Sequence, residues 1–262
     1  NLKNIFYKLN SSQFIGPSSY TLQLDNIREI DETSEKEEDF PNVRKDYTVT
    51  DKADGERNLM FITKQGKIYL LDTNMNFINT GMITKTKGCF SSLLDGELIK
   101  TNKSGELINL FAAFDIYYAD KQNSKKYSFI NNPSFELKIT DEKDKKNTEK
   151  KKKDKNISRL ELLQTIVDFL NPECVVKSNH MLDISVKHFE LIIDKDSVFN
   201  GCTNILSNIS SPYYKYNTDG LIFTPAYLPV PVKTKKITWT HSFKWKPPEF
   251  NTIDFLIKVN KD

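Results

Sequence analysis

Lys52 opens the hexapeptide Lys52-Ala53-Asp54-Gly55-Glu56-Arg57, which places an amine close to two carboxylates and a guanidinium. A lysine amine is a nucleophile only when it is neutral, and at an ordinary pKa of about 10.4 roughly one lysine in a few thousand is neutral at pH 7. Cationic neighbours and partial burial both lower the pKa of an amine. The pattern is therefore typical of a lysine that attacks the α-phosphate of a nucleotide.

Four further patterns follow the hexapeptide, each beside apolar residues typical of β-strands. Taken singly, each is a weak indication, because Asp-Gly pairs are common in turns and an isolated phenylalanine is usually a core residue. Their fixed order along one chain favours a single site. The patterns are Asp95-Gly96-Glu97, Phe114-Asp115, Asp219-Gly220 and Lys244-Trp245-Lys246.

The Lys244-Trp245-Lys246 sequence suits a β-strand that carries its charges on one face. Alternation along a strand sends both ammonium groups to one side and Trp245 to the other. If this strand lies beside Lys52, its two lysines and Arg57 would favour the neutral nucleophile. The same cations would stabilise the negative charge that develops on the α-phosphate oxygens during attack.

The carboxylates of Asp95, Glu97 and Asp219 are expected to face the same pocket. Mg²⁺ or Mn²⁺ on a nucleotide prefers carboxylate oxygens and keeps several waters. Such a cation would neutralise the phosphates and orient the leaving pyrophosphate. We expect Glu97 and Asp219 to hold it, although a carboxylate could also accept hydrogen bonds from ribose hydroxyls.

An aromatic ring is expected to stack on the base of the nucleotide. Phe114 is the candidate, because it lies beside Asp115 in a predicted strand. Phe111 and Tyr117 compete with Phe114 for this role.

Composition sets broad limits on this 262-residue chain. An apolar fraction of 38% can form the core of one large domain, or of one and part of a second, and a net charge of +3 does not by itself indicate nucleic acid. Three widely spaced cysteines without a Cys-x-x-Cys pair support neither a zinc site nor a disulfide framework, which favours an intracellular protein. The most apolar stretch, 107–118, is too short to cross a bilayer, so we expect no membrane partner. Since the first residue is not methionine, we expect a piece of a longer polypeptide.

The elements that must position these residues are predicted mostly as strands. Lys64-Gln65-Gly66 and the segment 102–105 are hairpin turns. A helical stripe covers 157–170 and ends at Asn171-Pro172. The predicted strands are 20–24, 47–50, 58–63, 67–71, 77–80, 93–100, 107–118, 221–223, 238–245 and 253–259, and the other predicted helices are 1–9 and 186–193.

Two charged runs are predicted to lie outside this framework. The acidic run 31–39 is interpreted as a solvated loop. The lysine-rich, low-complexity run 138–156 cannot bury enough apolar area to fold by itself. It is interpreted as a solvated insertion or as an arm that attracts RNA.

The ordered patterns resemble the covalent nucleotidyltransferase superfamily, which contains mRNA capping guanylyltransferases and polynucleotide ligases. The resemblance covers residues 14–255 approximately and is strongest to capping enzymes. Phe14-Ile15-Gly16-Pro17 with 22–27 is similar to the segment that precedes their lysine, and Asp219 stands where ligases generally carry Glu. Lys244-Trp245-Lys246-Pro247-Pro248 is similar to their last pattern. The hexapeptide and the composition resemble the capping enzymes of large cytoplasmic DNA viruses.

This resemblance implies an α+β fold, a nucleotidyltransferase core of antiparallel sheets with flanking helices, with the nucleotide between the sheets. The core, of the DNA ligase and mRNA capping enzyme catalytic-domain type, would occupy 1–250 and contain the Lys-rich insertion near 138–156. Residues 251–262 would begin a linker to an OB-fold domain, which is otherwise absent.

The resemblance also implies an enzyme, an mRNA guanylyltransferase that needs Mg²⁺ or Mn²⁺. GTP would guanylate a lysine with release of pyrophosphate, and the diphosphate 5′ end of RNA would then take the GMP. The implied roles are Lys52 as nucleophile, Arg57 and Glu97 on the ribose, Phe114 on guanine, Asp219 at the metal and α-phosphate, and Lys244 and Lys246 on the α-phosphate.

The implied partners are GTP, RNA, and RNA triphosphatase and methyltransferase domains in the same polypeptide or complex. The location would be the cytoplasm or virion for a viral protein and the nucleus for a cellular one. Two alternatives stay open. An ATP-dependent polynucleotide ligase domain would react with ATP, and a non-catalytic RNA- or partner-binding domain would bind GTP without forming an adduct.

Overall fold

A computed structural model describes residues 11–30, 40–131, 157–175, 181–192, 197–231 and 237–250. Within these ranges the chain forms β-strands, two α-helices and short 3₁₀ turns. The strands are β1 Ser18–Thr21, β2 Tyr47–Ala53, β3 Glu56–Ile62, β4 Lys67–Asp72, β5 Phe77–Ile83, β6 Ser92–Thr101, β7 Leu107–Ala119, β8 Gln122–Asn123, β9 Glu173–Cys174, β10 Asp183–Val186, β11 Glu190–Ile192, β12 Thr218–Pro225 and β13 Thr238–Trp245, and the helices are α1 Arg159–Leu170 and α2 Ser197–Ser210.

The first sheet, called sheet A, has the strand order β1-β13-β12-β2-β11. Strand β12 pairs antiparallel with both β2 and β13, and β1 runs parallel to β13. One face of sheet A carries apolar side chains that pack against α2, including Val49, Phe223 and Phe243 from the sheet and Val198 and Ile205 from the helix. The other face is free to line a cleft.

The second sheet, called sheet B, has the order β10-β7-β6-β3-β4-β5-β9, with β8 beside β7. The predicted hairpins are confirmed, since β3 pairs with β4 and β6 pairs with β7, both antiparallel. Helix α1 packs on this sheet through a core that contains Met60, Leu94, Phe111 and Leu163. The described residues thus confirm an α+β fold of mostly antiparallel sheets with flanking helices.

Helix α1 confirms the helix predicted for 157–170, two residues shorter at its start. Ser158 caps its first turn, with Glu161 completing a capping box. Asn171 ends the helix in the left-handed conformation, with φ 37°. The buried face is the predicted apolar stripe, with Leu163, Ile166 and Leu170 in the core.

The helix predicted for 186–193 is wrong. This segment contains the end of β10, which pairs parallel with β7, and β11, which pairs antiparallel with β2. Val186, Phe189 and Ile192 recur every three residues and imitate a helical stripe. The unpaired edges of β7 and β2 offered backbone hydrogen bonds to this segment, and tertiary pairing overrode the local pattern.

Helix α2 was not predicted. Its buried face carries Val198, Gly201 and Ile205, a helical spacing that the sequence does contain. Neither described helix combines the length and apolar character needed to span a membrane.

Several predictions fall outside the described residues. They are the helix 1–9, the acidic loop 31–39, the lysine-rich segment 138–156, the strand 253–259 and the linker 251–262.

The chain crosses from one sheet to the other immediately after the lysine of the hexapeptide. Strand β2 belongs to sheet A and β3 belongs to sheet B, and only Asp54 and Gly55 separate them. A second crossing lies at 187–189, between β10 of sheet B and β11 of sheet A. Side chains at both crossings therefore reach the cleft between the sheets.

Candidate active site

The two sheets enclose a cavity of about 190 Å³. Both sheets and both crossings contribute to its wall, which mixes cations, carboxylates, hydroxyls and aromatic rings. Sheet A supplies Ser18, Ser19, Thr50, Lys52, Ala53, Ile222, Thr224, Trp239, Ser242 and Lys244; sheet B supplies Arg57, Glu97, Phe114, Asp115 and Tyr117; and the connections supply Pro17, Lys187 and Phe189.

The structure brings together the seven residues with predicted roles, whereas Asp95, also expected to face the pocket, is fully buried against Arg57 and does not line the cavity. Five of the seven line the cavity: Lys52, Arg57, Glu97, Phe114 and Lys244. The other two, Asp219 and Lys246, lie beside the cavity wall. Asp219 forms one ion pair with Lys52 and a second with Lys246. Lys244 faces the cavity while Trp245 packs into the core beneath sheet A, as strand alternation predicts.

Asp219 bridges two lysines at the edge of the cavity. Its Oδ1 accepts a hydrogen bond from Lys52 Nζ at 2.6 Å, and its Oδ2 lies 2.6 Å from Lys246 Nζ. Burial opposes ionisation of this carboxyl, but the hydrogen bonds from Lys246 and Lys52 outweigh it and lower the pKa of Asp219 below its ordinary value. The expected cluster of cations around Lys52 is thus interrupted by a carboxylate, because neighbouring ammonium groups repel unless an anion separates them.

Arg57 is held rigidly by Asp95. The guanidinium donates to both carboxylate oxygens, from Nε at 3.1 Å and from Nη2 at 2.5 Å, while Nη1 donates to the Pro17 carbonyl at 2.8 Å. Burial alone would lower the pKa of Arg57, but the Asp95 carboxylate raises it, so the group stays charged. Tyr117 also donates to Asp95. The Arg57 guanidinium carbon lies 5.4 Å from the ring centre of Phe14 and 5.5 Å from that of Phe114.

Glu97 is a carboxyl with an unsatisfied oxygen. Burial raises its pKa to about 7, and the nearby cations Lys187 and Arg57 offset this only in part. Its Oε2 is buried and has no hydrogen-bond partner among the described residues. A buried acceptor without a partner is costly, so this oxygen is suited to receive a hydroxyl donor or a cation from a ligand.

The described positions of the three aromatic candidates differ. Phe111 is fully buried in the core of sheet B and does not line the cavity. Tyr117 lines the cavity but is 1% exposed and bound through its hydroxyl to Asp95. Phe114 is only partly buried, and its ring is the one of the three with an accessible face toward the cavity.

Lys187 is a site residue that sequence reasoning missed. It lies at the second crossing, lines the cavity, and pairs with Asp51 at 3.0 Å, with both side chains almost fully buried. Burial raises the pKa of Tyr214 and Tyr216, and the charge of the nearby Asp51 carboxylate raises the pKa of both further. The helix predicted for 186–193 gave no reason to place Lys187 in the cavity. Its side chain faces the cavity because it lies where the chain crosses from sheet B to sheet A.

The carboxylates suit a cation that is shared with a ligand. Among the described residues no group of three or more His, Cys, Asp and Glu side chains could hold a metal ion. Mg²⁺ is commonly bound through one or two carboxylates together with substrate phosphates and water. The unsatisfied Glu97 oxygen, together with Asp219 beside Lys52, fits that mode better than a site built from protein ligands alone.

The family model and the two relatives that are similar to this chain are all described as mRNA capping enzymes. Residues 33–158 match the family described as mRNA capping enzyme, catalytic domain. The chain is 29% identical over 238 residues to the probable mRNA-capping enzyme of Acanthamoeba polyphaga mimivirus, covering 82% of this chain and 20% of that protein. It is 24% identical over 233 residues to the mRNA-capping enzyme subunit alpha of Schizosaccharomyces pombe, covering 82% of this chain and 49% of that one. The chain thus spans half or less of each relative.

Solved structures with a related layout include two from mycobacteria. A mycobacterial DNA ligase D complexed with ATP and MES aligns with a TM-score of 0.42 at 14% identity, covering 76% of this chain and 54% of that one. The ligase domain of LigD from M. tuberculosis aligns with a TM-score of 0.43 at 14% identity, covering 76% and 53%.

The two-sheet fold and the lysine-lined cavity are consistent with a covalent nucleotidyltransferase, and the chain is similar in sequence to mRNA capping enzymes. The resemblance noted from the ordered patterns is therefore confirmed, including its similarity to a capping enzyme of a large DNA virus.

Proposed function

We propose that this chain is the guanylyltransferase domain of an mRNA capping enzyme, with Lys52 as the residue that carries GMP. The observation that carries the proposal is the single cavity in which Lys52 and Lys244 of sheet A face Arg57, Glu97 and Phe114 of sheet B. The similarity to two mRNA-capping enzymes supports GTP as the nucleotide.

In the first step, Lys52 Nζ attacks the α-phosphorus of GTP. The N–P bond forms as the bond from the α-phosphorus to the bridging oxygen breaks, and pyrophosphate leaves. The nitrogen must lose a proton, and Asp219 Oδ1, 2.6 Å away, is an acceptor already against it. Lys244 and Lys246 stabilise the charge on the α-phosphate oxygens.

The rest of the nucleotide would be held by the wall of sheet B. Arg57 and Glu97 would bind the ribose hydroxyls, and Phe114 would stack on guanine. Mg²⁺ or Mn²⁺, held by the phosphates with Glu97 and Asp219, would neutralise the triphosphate when bound.

In the second step, an oxygen of the diphosphate 5′ end of RNA attacks the same phosphorus. The new P–O bond replaces the N–P bond, GMP passes to the RNA, and the Lys52 amine is released and protonated again. We further propose that RNA triphosphatase and methyltransferase domains act in the same polypeptide or complex. The small fraction of the mimivirus protein that this chain spans supports that arrangement.

Labelling with α-³²P nucleotides tests the proposal. With Mg²⁺ or Mn²⁺, we expect an acid-labile protein adduct from GTP that disappears in Lys52→Ala and persists in Lys103→Ala, a lysine far along the chain at the hairpin tip. A parallel reaction with ATP separates the two enzyme classes, since an adduct from ATP alone would indicate a ligase. If the protein binds GTP tightly and forms no adduct, the chain is a binding domain and the proposal is wrong.

A further inference from the structure

The pairing of β6 with β7 contains an irregularity at the predicted stacking residue. Asp95 is opposite Asp115 and Gly96 is opposite Ala113, so Phe114 has no partner and forms a β-bulge. A bulge interrupts strand alternation and turns a side chain away from its regular direction. As a result, the consecutive residues Phe114 and Asp115 both line the cavity, which a regular strand would not allow.

The Asp115 carboxylate binds the backbone directly after the bulge. Its Oδ1 accepts the Ile116 amide at 2.8 Å. The same carboxylate accepts two hydrogen bonds from Arg159, from Nε at 2.8 Å and from Nη2 at 3.3 Å. The bulged backbone is therefore connected through one side chain to a guanidinium 44 positions further along the chain.

Several contacts hold the Arg159 side chain in place. It is the first residue of α1 and its side chain is 0% exposed. Beyond Asp115, its guanidinium donates to the carbonyls of Tyr127 and Leu228, and its ring neighbour is Phe129 at 5.4 Å. A planar guanidinium with this many acceptors has one allowed orientation, which an ammonium group could not reproduce.

We propose that Arg159 is a positioning residue for nucleotide binding, which acts through Asp115 to hold the bulge that turns the Phe114 ring into the cavity. The inference rests on the proposed function, in which Phe114 stacks on the base. Arg159 does not itself line the cavity. We expect its effect on a nucleotide to pass through Asp115 to the position of Phe114.

A double-mutant cycle tests this connection through the dissociation constants of GTP and ATP, measured by calorimetry. Stacking on an aromatic ring tolerates any base, and its loss in Phe114→Ala should weaken binding about tenfold to a hundredfold. Arg159→Lys keeps the charge and removes the planar fork, and we expect it to weaken binding about tenfold. In the Phe114→Ala background, Arg159→Lys should change the dissociation constant by less than about twofold, because the ring on which it acts is gone.

A matched control separates positioning from a general loss of stability. Leu170→Ala removes a core side chain from the far end of the same helix, which lies away from the cavity. It should lower the melting temperature at least as much as Arg159→Lys and leave nucleotide affinity unchanged. Asp115→Asn, which keeps the shape of the side chain, should reproduce the coupling with Phe114→Ala if Arg159→Lys fails to fold.

The outcomes distinguish this inference from the proposed function. Unchanged affinity in Arg159→Lys, or effects that add in the double variant, would overturn the positioning role. Coupled binding without a lysine adduct would overturn the transferase activity and leave the positioning role intact. A chain that binds neither nucleotide would overturn both.

Discussion

Lys52 Nζ donates a 2.6 Å hydrogen bond to Asp219 Oδ1, although 167 positions separate the two residues. The antiparallel pairing of β2 with β12 sets Thr218 opposite Ala53 and so brings the two side chains together. Because the other oxygen of Asp219 binds Lys246, one carboxylate orients both the proposed nucleophile and a proposed phosphate-binding cation.

The first prediction concerns this bridging carboxylate. In Asp219→Asn the charge that holds Lys52 and Lys246 together is lost, and their repulsion should move the amine out of line with the α-phosphorus. A displacement of about 1 Å can cost about a hundredfold in rate. We expect single-turnover adduct formation from GTP to slow by about that factor.

Asp168→Asn is the control for this change, because Asp168 is an exposed carboxylate on α1 that accepts a hydrogen bond from Gln164. It should label at the unaltered rate. Equal labelling rates in both variants would show that the bridge has no part in the reaction.

The second prediction is a pH dependence that originates at Glu97. The unfolded chain releases this proton near pH 4.5, whereas the folded protein keeps it to about pH 7. Between these values the folded state binds more protons, so its stability must fall as the pH rises. At pH 8, Glu97→Gln should be more stable than the unaltered protein by about 2 kcal/mol, a value reduced for partial solvent screening.

Nucleotide binding should respond in the opposite sense. Because the ionised carboxylate is the form that binds a metal ion or accepts hydroxyl donors, GTP affinity should increase between pH 6 and pH 8 in the unaltered protein. Urea unfolding and calorimetry over this range measure both trends. In Glu97→Gln, stability and GTP affinity should both be nearly independent of pH over this range. Glu106→Gln, at the hairpin tip, should keep the pH dependence of both.

The third prediction concerns the buried pair of Lys187 and Asp51. Their side chains are 2% and 4% exposed, so Lys187→Met leaves a buried carboxylate without its cation. Breaking such a pair typically costs about 3–5 kcal/mol. Urea unfolding should show a loss of this size, and adding Asp51→Asn should restore part of it, because the remaining amide is neutral.

An exposed pair provides the comparison. Lys85 and Glu173 are 78% and 58% exposed at a similar distance, so Lys85→Met should change stability by about 1 kcal/mol or less. Similar losses in Lys187→Met and Lys85→Met would contradict the assignment of the first pair to the buried wall of the cavity.

The fourth prediction concerns Gly220, which follows the bridging aspartate. A Cβ at this position would lie 1.9 Å from the Trp245 carbonyl oxygen, and φ is +150°. Gly220→Ala must therefore push β12 away from β13 and displace Lys246. We expect a loss of about 3 kcal/mol in thermal unfolding, together with slower adduct formation.

Two other glycines separate the contributions of strain and close approach. Gly105 has φ +82° but nothing near a Cβ, so Gly105→Ala should cost about 1–2 kcal/mol and leave adduct formation unchanged. Gly88 has neither feature, and Gly88→Ala should be close to neutral. A neutral Gly220→Ala would mean that the two strands are not in the described contact.

Short-range sequence patterns were sufficient to predict much of the secondary structure. The hairpins and α1 were predicted because alternation, turn residues and a capping serine act over a few neighbouring residues. The helix predicted at 186–193 failed because its spacing fits both structures, and pairing with the distant strands β7 and β2 decided between them.

The sequence by itself determined which chemical groups are present and in what order: the amine at Lys52, the cations of Lys244 and Lys246, and the carboxylates between them. Tertiary structure alone decided that Asp219 separates two of the cations, that Lys187 turns inward and that Arg159 supports the bulge at Phe114. The reason is physical. Residue type and short-range periodicity are local properties, whereas charge pairing and burial depend on residues that meet only when the two sheets close on each other.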